Sequence, residues 1–432
     1  MTTQFLIEVK SVIDLSLVES MPHGSWVEIM KSILLSLCLF AVTQVQASVW
    51  EAKEEWNSAW ESQFSEWIKT DFNEGYFVQG KWAGVSTDCA DAVYFARLIF
   101  SYENKLSFAM KDATGSGRLV TNKMSRYDNI ADEKKRVKEF MSFVGVLGST
   151  ETLPGDTYPV KINRENVRAG TVWSRVRITA GNWWQRLVGR GNPEGIAGHA
   201  EIVKDVKETG AIYLIGSTVP QKVRSLILTS SFVFLPTDSS TGLRNWIEPQ
   251  NFSKGKSDQP GFSKEQFVIG NNGGKRDLDT WTKAVQGRLA LRNETRVEAI
   301  QRTAADLCSL SRARIEAVSE GIKHSRNIDR CMNKEEYEDF STPTRDLRIK
   351  RTLLQLMKLT SVSGDLSARN VDKIGPELDQ CPALEIASGR KLELRDYLKR
   401  VSEDEVSSNP NDSLEARWGL SNSRRSRCPT YE

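Results

Sequence analysis

At 432 residues the chain is too long for one ordinary core, and two domains are expected after any leader. Its 39% hydrophobic and 27% charged residues are the mix of a globular protein rather than a disordered one. The net charge of +3 is spread over many opposite charges and gives no argument for nucleic-acid binding. The sequence has no apolar run of about 18 residues, so a stable membrane span is not expected.

The first feature in chain order is a leader. Met30-Lys31 precedes an apolar run from Ile33 to Val42, and Val45-Gln46-Ala47 gives the small-x-small end that signal peptidase needs. Residues 1–29 carry Glu8, Asp14, Glu19 and Glu28, whereas the start of a signal peptide should be positive. Translation is therefore expected to begin at Met30, and the mature chain at Ser48. Leu37 precedes Cys38 where lipidation requires a small residue, so lipidation is not expected. The chain then divides into a first domain over 48–250, a linker over 251–277 and a helical domain over 278–432.

Within the first domain, Trp56, Trp60, Phe64 and Trp67 recur at helical spacing, which predicts an amphipathic helix over 49–70 packed on a core. Residues 88–103 are apolar nearly all round (Ala92, Val93, Phe95, Ala96, Leu98, Ile99 and Phe100) and predict a centrally buried helix. A third helix is expected from Asp132 to Val146. The pattern then turns strand-like, with candidates at Thr171–Ile178, Ala200–Val206, Ala211–Ser217 and Ser225–Leu235 and a hairpin turn at 207–210. Lys254-Gly255-Lys256 and Asn271-Asn272-Gly273-Gly274 mark the linker. Beyond it, Val297, Ile300, Ala304, Leu307, Ile315, Val318 and Ile322 form a helical stripe, and Thr342-Pro343 starts a further helix.

Removal of the leader leaves Cys89, Cys308, Cys331, Cys381 and Cys428. Four clustered cysteines in an exported chain read as two disulfides. Of the three connectivities, Cys308–Cys331 with Cys381–Cys428 closes the most local loops. Cys89 stands alone. In Thr87-Asp88-Cys89-Ala90-Asp91, Thr87 or Asp88 can cap a helix whose first turn holds Cys89. The helix dipole there favours a thiolate, and the Cys89 N–H is placed to meet an oxyanion. Only His199 and His324 remain as bases. His324 falls in the helical domain, whereas His199 opens a strand in the same domain as Cys89. A helix-borne cysteine and a strand-borne histidine make a nucleophile–base pair. Pairing the hairpin about 207–210 makes facing residue numbers sum to 416–418. That sets His199 opposite Ser217 or Thr218, the candidates for the group that orients the ring. Gln79 and Trp82, upstream of Cys89, are candidates for a second oxyanion donor and a site wall, and Trp183-Trp184 for a substrate groove.

Asp88-Cys89-Ala90 resembles the Asp-Cys-Ser/Ala motif of the NlpC-type cell-wall peptidases, a papain-like family. Arg168-Ala169-Gly170-Thr171-Val172 resembles the segment before that family's catalytic strand, and Gly198-His199-Ala200-Glu201-Ile202-Val203 resembles the strand itself. The resemblance covers about residues 75–220. It implies an α+β, papain-like domain with a nucleophile helix on an antiparallel sheet; the all-helical, disulfide-bearing domain that follows is read from periodicity and cysteines and is not a standard accessory domain of that family. It also implies a thiol hydrolase of amide bonds acting on peptide or peptidoglycan substrates, periplasmic or secreted, with no cofactor and no metal. Asp91 and Thr171 depart from the family, where Gly and Asp are usual, as does a hydroxyl residue at the third catalytic position. A transglutaminase-like acyltransferase shares the Cys–His order but expects an Asp on the strand after the histidine, where this sequence has Gly216-Ser217-Thr218. A non-catalytic binding protein working through its helical domain is the other alternative.

Overall fold

The computed structural model describes residues 48–176, 198–271, 273, 276–362, 364–421 and 426–431. The leader expected over 30–47 and the Trp183-Trp184 pair lie outside the described residues. The architecture is mixed α+β: one antiparallel sheet with helices on its faces, then a mainly helical body with two disulfides.

The first helix, α1 (Ser58–Thr70), starts nine residues later than its aromatic spacing suggests, because Asn57 caps it through Ala59 N and Trp60 N. Residues before it run along the core instead, with Trp50 Nε1 donating to Leu106 O and Trp56 Nε1 to Ser107 O. Helix α2 (Cys89–Glu103) is buried at every residue from Cys89 to Ser101. Phe64 and Trp67 of α1, with Trp56 ahead of it, close on α2 and lie 5.2, 5.6 and 5.7 Å from the Phe100 ring. They serve as core, as their periodicity predicts. The buried Arg97 of α2 is neutralised by Glu61 at 2.5 Å and stacks on Trp56. A small hairpin, β1 (Ala109–Lys111) and β2 (Leu119–Thr121), leads to α3 (Glu133–Leu147), where Asp132 is the cap.

The sheet comprises β3 (Thr157–Pro159), β4 (Val172–Arg175), β5 (His199–Val206), β6 (Ile212–Gly216), β7 (Ile227–Thr229) and β8 (Gly242–Trp246), in the order β3-β8-β4-β5-β6-β7. Alternation divides its faces. Val172, Ala200, Ile202 and Ile215 face the α2 side, whereas Trp173, Val203, Leu214 and Leu243 belong to a second core. That second core is closed by α4 (Leu278–Leu289), whose Trp281 lies 5.3 Å from Trp173, beside Phe232 and Phe234. In the 207–210 turn Gly210 has φ +78°, and a Cβ there would sit 2.0 Å from Gln286 O of α4, so only glycine allows this approach.

The 251–277 stretch is a packed strap rather than a linker. Gln266 is buried and bonds both the N–H and the C=O of Leu243, and Val160 bridges Phe262. Its turn-rich sequence finds backbone partners on the sheet edge. The sheet-bearing body thus runs to Leu289, well past residue 250.

The C-terminal body is built on α5 (Arg296–Ser325), started by a Thr295–Glu298 capping box. After α6 (Lys334–Phe340), α7 (Pro343–Leu359) packs along it, with Pro343 in its first turn as expected. Leu307 and Val318 of the predicted stripe are fully buried, but Val297 is exposed. The body is not all-helical, because β9 (Leu384–Ala387) and β10 (Arg390–Leu392) form a hairpin in it. The two bodies lock at β7 and the segment after it, where Asp306 of α5 accepts hydrogen bonds from Ser230 N, Ser230 Oγ and Ser231 Oγ. Among the described residues no helix is long and apolar enough to cross a membrane.

The disulfides join Cys308 to Cys381 and Cys331 to Cys428, not the local pairs expected, and Cys89 is free. The reason is helix length. From Cys308 the α5 helix runs on to Ser325, roughly 25 Å of rise, so Cys331 could return to Cys308 only if the six residues after the helix ran straight back fully extended, whereas Cys381 already lies 5.8 Å from Cys308 between Cα atoms. Peptide mapping without reduction should recover Cys308–Cys381 and Cys331–Cys428. Breaking either by Cys→Ser should destabilise the chain by about 2–4 kcal/mol in chemical denaturation.

Candidate active site

Asp88 caps α2, accepting from Ala90 N and Asp91 N at 2.9 Å, while the Asp91 carboxylate accepts Asp88 N at 3.0 Å. This capping box puts Cys89 at the first helical position and leaves its own N–H outside the cap. The chain entering the helix is clamped. Thr87 exchanges backbone hydrogen bonds with Lys222, its Oγ1 donates to Ser217 Oγ, and Ser217 Oγ donates to Thr87 O.

The Cys89 thiol is buried, and the N–H groups of Ala200 and Ala90 point at it. Burial pushes the thiol up to about 12, helped by the Asp88 and Asp91 carboxylates and opposed by those two N–H groups. This outcome is the reverse of the thiolate expected from the helix dipole. The positive helix end is already spent on two carboxylates, and a desolvated thiolate is costly. Asp91 is itself buried. Its Oδ2 accepts from Gln221 Nε2 as well, but Oδ1 has no hydrogen-bond partner among the described residues, and burial next to Asp88 raises its carboxyl to about 7.

His199 is the first residue of β5, one position before the Ala200 N–H that meets the thiol. Its Nε2 is buried 3.2 Å from Oε2 of Glu201, at an angle too bent for a full hydrogen bond, while the ring as a whole is 23% exposed. Among the described residues the Cys89 sulfur has no hydrogen bond to the ring. Glu201 in turn is 3% exposed, and its Oε1 lies 3.4 Å from Arg348 of α7. Burial alone would raise the Glu201 carboxyl, but Arg348 and then His199 outweigh that and hold it at about 2. Gly216, across the sheet from Glu201, provides the room: a Cβ there would meet Glu201 Cγ at 3.0 Å.

Facing residue numbers fall in the expected range, 417 at Ile202–Ile215, but Val206 faces Ile212 rather than 211, because an irregularity between Val203 and Asp205 shifts the register by one. Yet neither hydroxyl residue orients His199. Ser217 is engaged with Thr87, and Thr218 Oγ1 accepts from Arg345 of α7. Paired strand ends at Gly216, so the extrapolated partners peel away. The carboxylate beside the ring is Glu201, two residues along the same strand. Its signal was present in the alternation itself, since residues i and i+2 share a face. Arg348 had no such signal. Trp82 is not at the site, because its Nε1 is bound to Glu103 at the opposite end of α2, roughly 21 Å of rise from Cys89. Gln79 is exposed and lies against Gly75. Neither brings a second oxyanion donor to Cys89.

No protein-family model, curated protein or solved structure matches this chain.

The Asp91 carboxyl gives a pH signature. Its folded value of about 7 stands above the ordinary 3.8 of an aspartate, so the folded state holds the proton more tightly and stability falls as pH rises between the two. Asp91→Asn should remove that fall. In denaturant titrations its advantage over wild type should grow by up to roughly 1 kcal/mol per pH unit from about pH 4 to 7, then level off.

Proposed function

We propose that this chain is an exported cysteine hydrolase of papain-like fold that cleaves amide bonds in cell-wall peptides. Cys89 is the nucleophile, His199 the base and Glu201 the group that orients the ring. The observation that carries this reading is the meeting of two elements: the N-terminus of a buried helix brings a free thiol against the strand that begins His199-Ala200-Glu201. The order of a cysteine helix followed by an antiparallel sheet supports the papain-like assignment. Two disulfides support export.

In the reaction, the thiol proton passes to His199 as sulfur attacks the carbonyl carbon. The Cys89 N–H donates to the oxyanion. The C–N bond breaks, the amine leaves with the proton from the imidazolium, and a thioester remains. Water then attacks the thioester, its proton returning through His199 to the thiol, and the acid is released. With the thiol held at about 12, the cysteine rests protonated, and the thiolate forms only as the proton is transferred.

The same burial favours a second reading, a binding scaffold in which Cys89 is an inert core cysteine. The sulfur is shielded, its thiol is raised, and it has no hydrogen bond to the ring. Purified chain with peptidoglycan fragments separates the two. Cys89→Ala and His199→Ala should each lower kcat by at least roughly a thousandfold. Glu201→Gln should lower it by about 10–100-fold, the worth of one charge-assisted contact. Full activity in His199→Ala would overturn the hydrolase reading, as would turnover that persists in Cys89→Ala.

A further inference from the structure

The second body reaches into the candidate site through one helix. Arg348 of α7 is 11% exposed, and its guanidinium contacts Glu201 Oε1, Thr229 Oγ1 and Ser231 O. Glu201 is therefore held on two sides, with Oε1 on Arg348 and Oε2 on His199. A buried carboxylate deprived of its cation protonates or swings toward water, and either change would free the imidazole. Three residues earlier on α7, Arg345 donates to Thr218 Oγ1 and Val219 O. Those residues belong to the segment whose Ser217 and Lys222 clamp Thr87, just before Cys89. One helix of the C-terminal body thus braces both the strand of the base and the approach to the nucleophile.

We propose that Arg348 is a positioning residue for His199, acting through Glu201, and that the C-terminal body is thereby an integral part of the catalytic apparatus. The proposal rests on the hydrolase reading above. Among the described residues, the titratable groups that act on Glu201 are Arg348 on α7 and His199 on its own strand; Arg175 of β4 is paired opposite His199, and Asp306 of α5 acts on Arg348. Of the groups that lower the carboxyl, Arg348 contributes most.

The test is the rate of Cys89 alkylation by iodoacetamide in the full chain between about pH 5 and pH 9. The variants are Arg348→Met, Arg348→Lys, Glu201→Gln and the Arg348→Met/Glu201→Gln double variant, each checked for a native melt. Without the cation, burial raises the Glu201 carboxyl, so the acid limb of the profile should move up in pH. Arg348→Met should slow labelling at neutral pH by at least about tenfold and shift that limb by about one pH unit or more. Arg348→Lys should recover most of the rate, because it restores the charge. In the Glu201→Gln background Arg348→Met should change nothing further. A loss that is uniform across pH, or equal in the Glu201→Gln background, would reduce Arg348 to a packing role and overturn the proposal alone. Wild-type Cys89 that resists labelling until the chain is unfolded would sink the hydrolase reading itself, and the proposal with it.

Discussion

A helix enclosed by protein from its first residue cannot leave its N-terminal N–H groups to water. That constraint governs α2. The N–H groups of Asp88, Ala90 and Asp91 are met by the Asp88–Asp91 box, the Asp91 carboxylate is met by Gln221, and the entering segment is met by Ser217 and Lys222. Each of these partners comes from a segment that the sheet must first position. The Val219-Pro220 turn, the end of β6 and the approach to Cys89 are therefore one connected structure.

The same enclosure sets the chemistry. Burial raises the Cys89 thiol and the Asp91 carboxyl together, and the two carboxylates of the cap cancel the helix end that would otherwise favour a thiolate. In the proposed reaction, sulfur then depends on proton transfer to a base rather than on a standing thiolate. Strand geometry puts His199 and Glu201 on one face, the face of Trp173 and away from α2, and Gly216 leaves the space in which the carboxylate lies.

Charge inside the molecule is handled by pairing across elements. Arg97 meets Glu61, Arg314 meets Asp346, Asp306 takes two serines, and Glu201 takes Arg348. The last two cross between the sheet-bearing body and the C-terminal body. Removing one partner of a buried pair strands the other without water, so these contacts make the arrangement of the two bodies specific as well as stable.

Local chemistry made much of this legible in the amino-acid sequence. The all-round apolar run of α2, the cap at Asp88, the 207–210 hairpin and the Pro343 helix start are short-range properties that neighbours in sequence decide. The first helix began late because Asn57 capped it, which periodicity alone does not register. The 251–277 strap looked like a linker because turn residues say nothing about where their backbone finds partners. The disulfide pairing depended on how far α5 carries Cys308 from Cys331. The pairing of His199 with Glu201 lay within reach of strand alternation. The engagement of Ser217 and Thr218 elsewhere did not, because it required knowing that β6 ends at Gly216 and that Arg345 stands over the next residue. Sequence by itself determined the elements, the lone cysteine on a helix start and the histidine on a strand start. Only the tertiary structure decided the state of the thiol and the arrival of Arg348, since desolvation and charge pairing are properties of what surrounds a residue in space, and that surrounding comes from segments more than a hundred residues away.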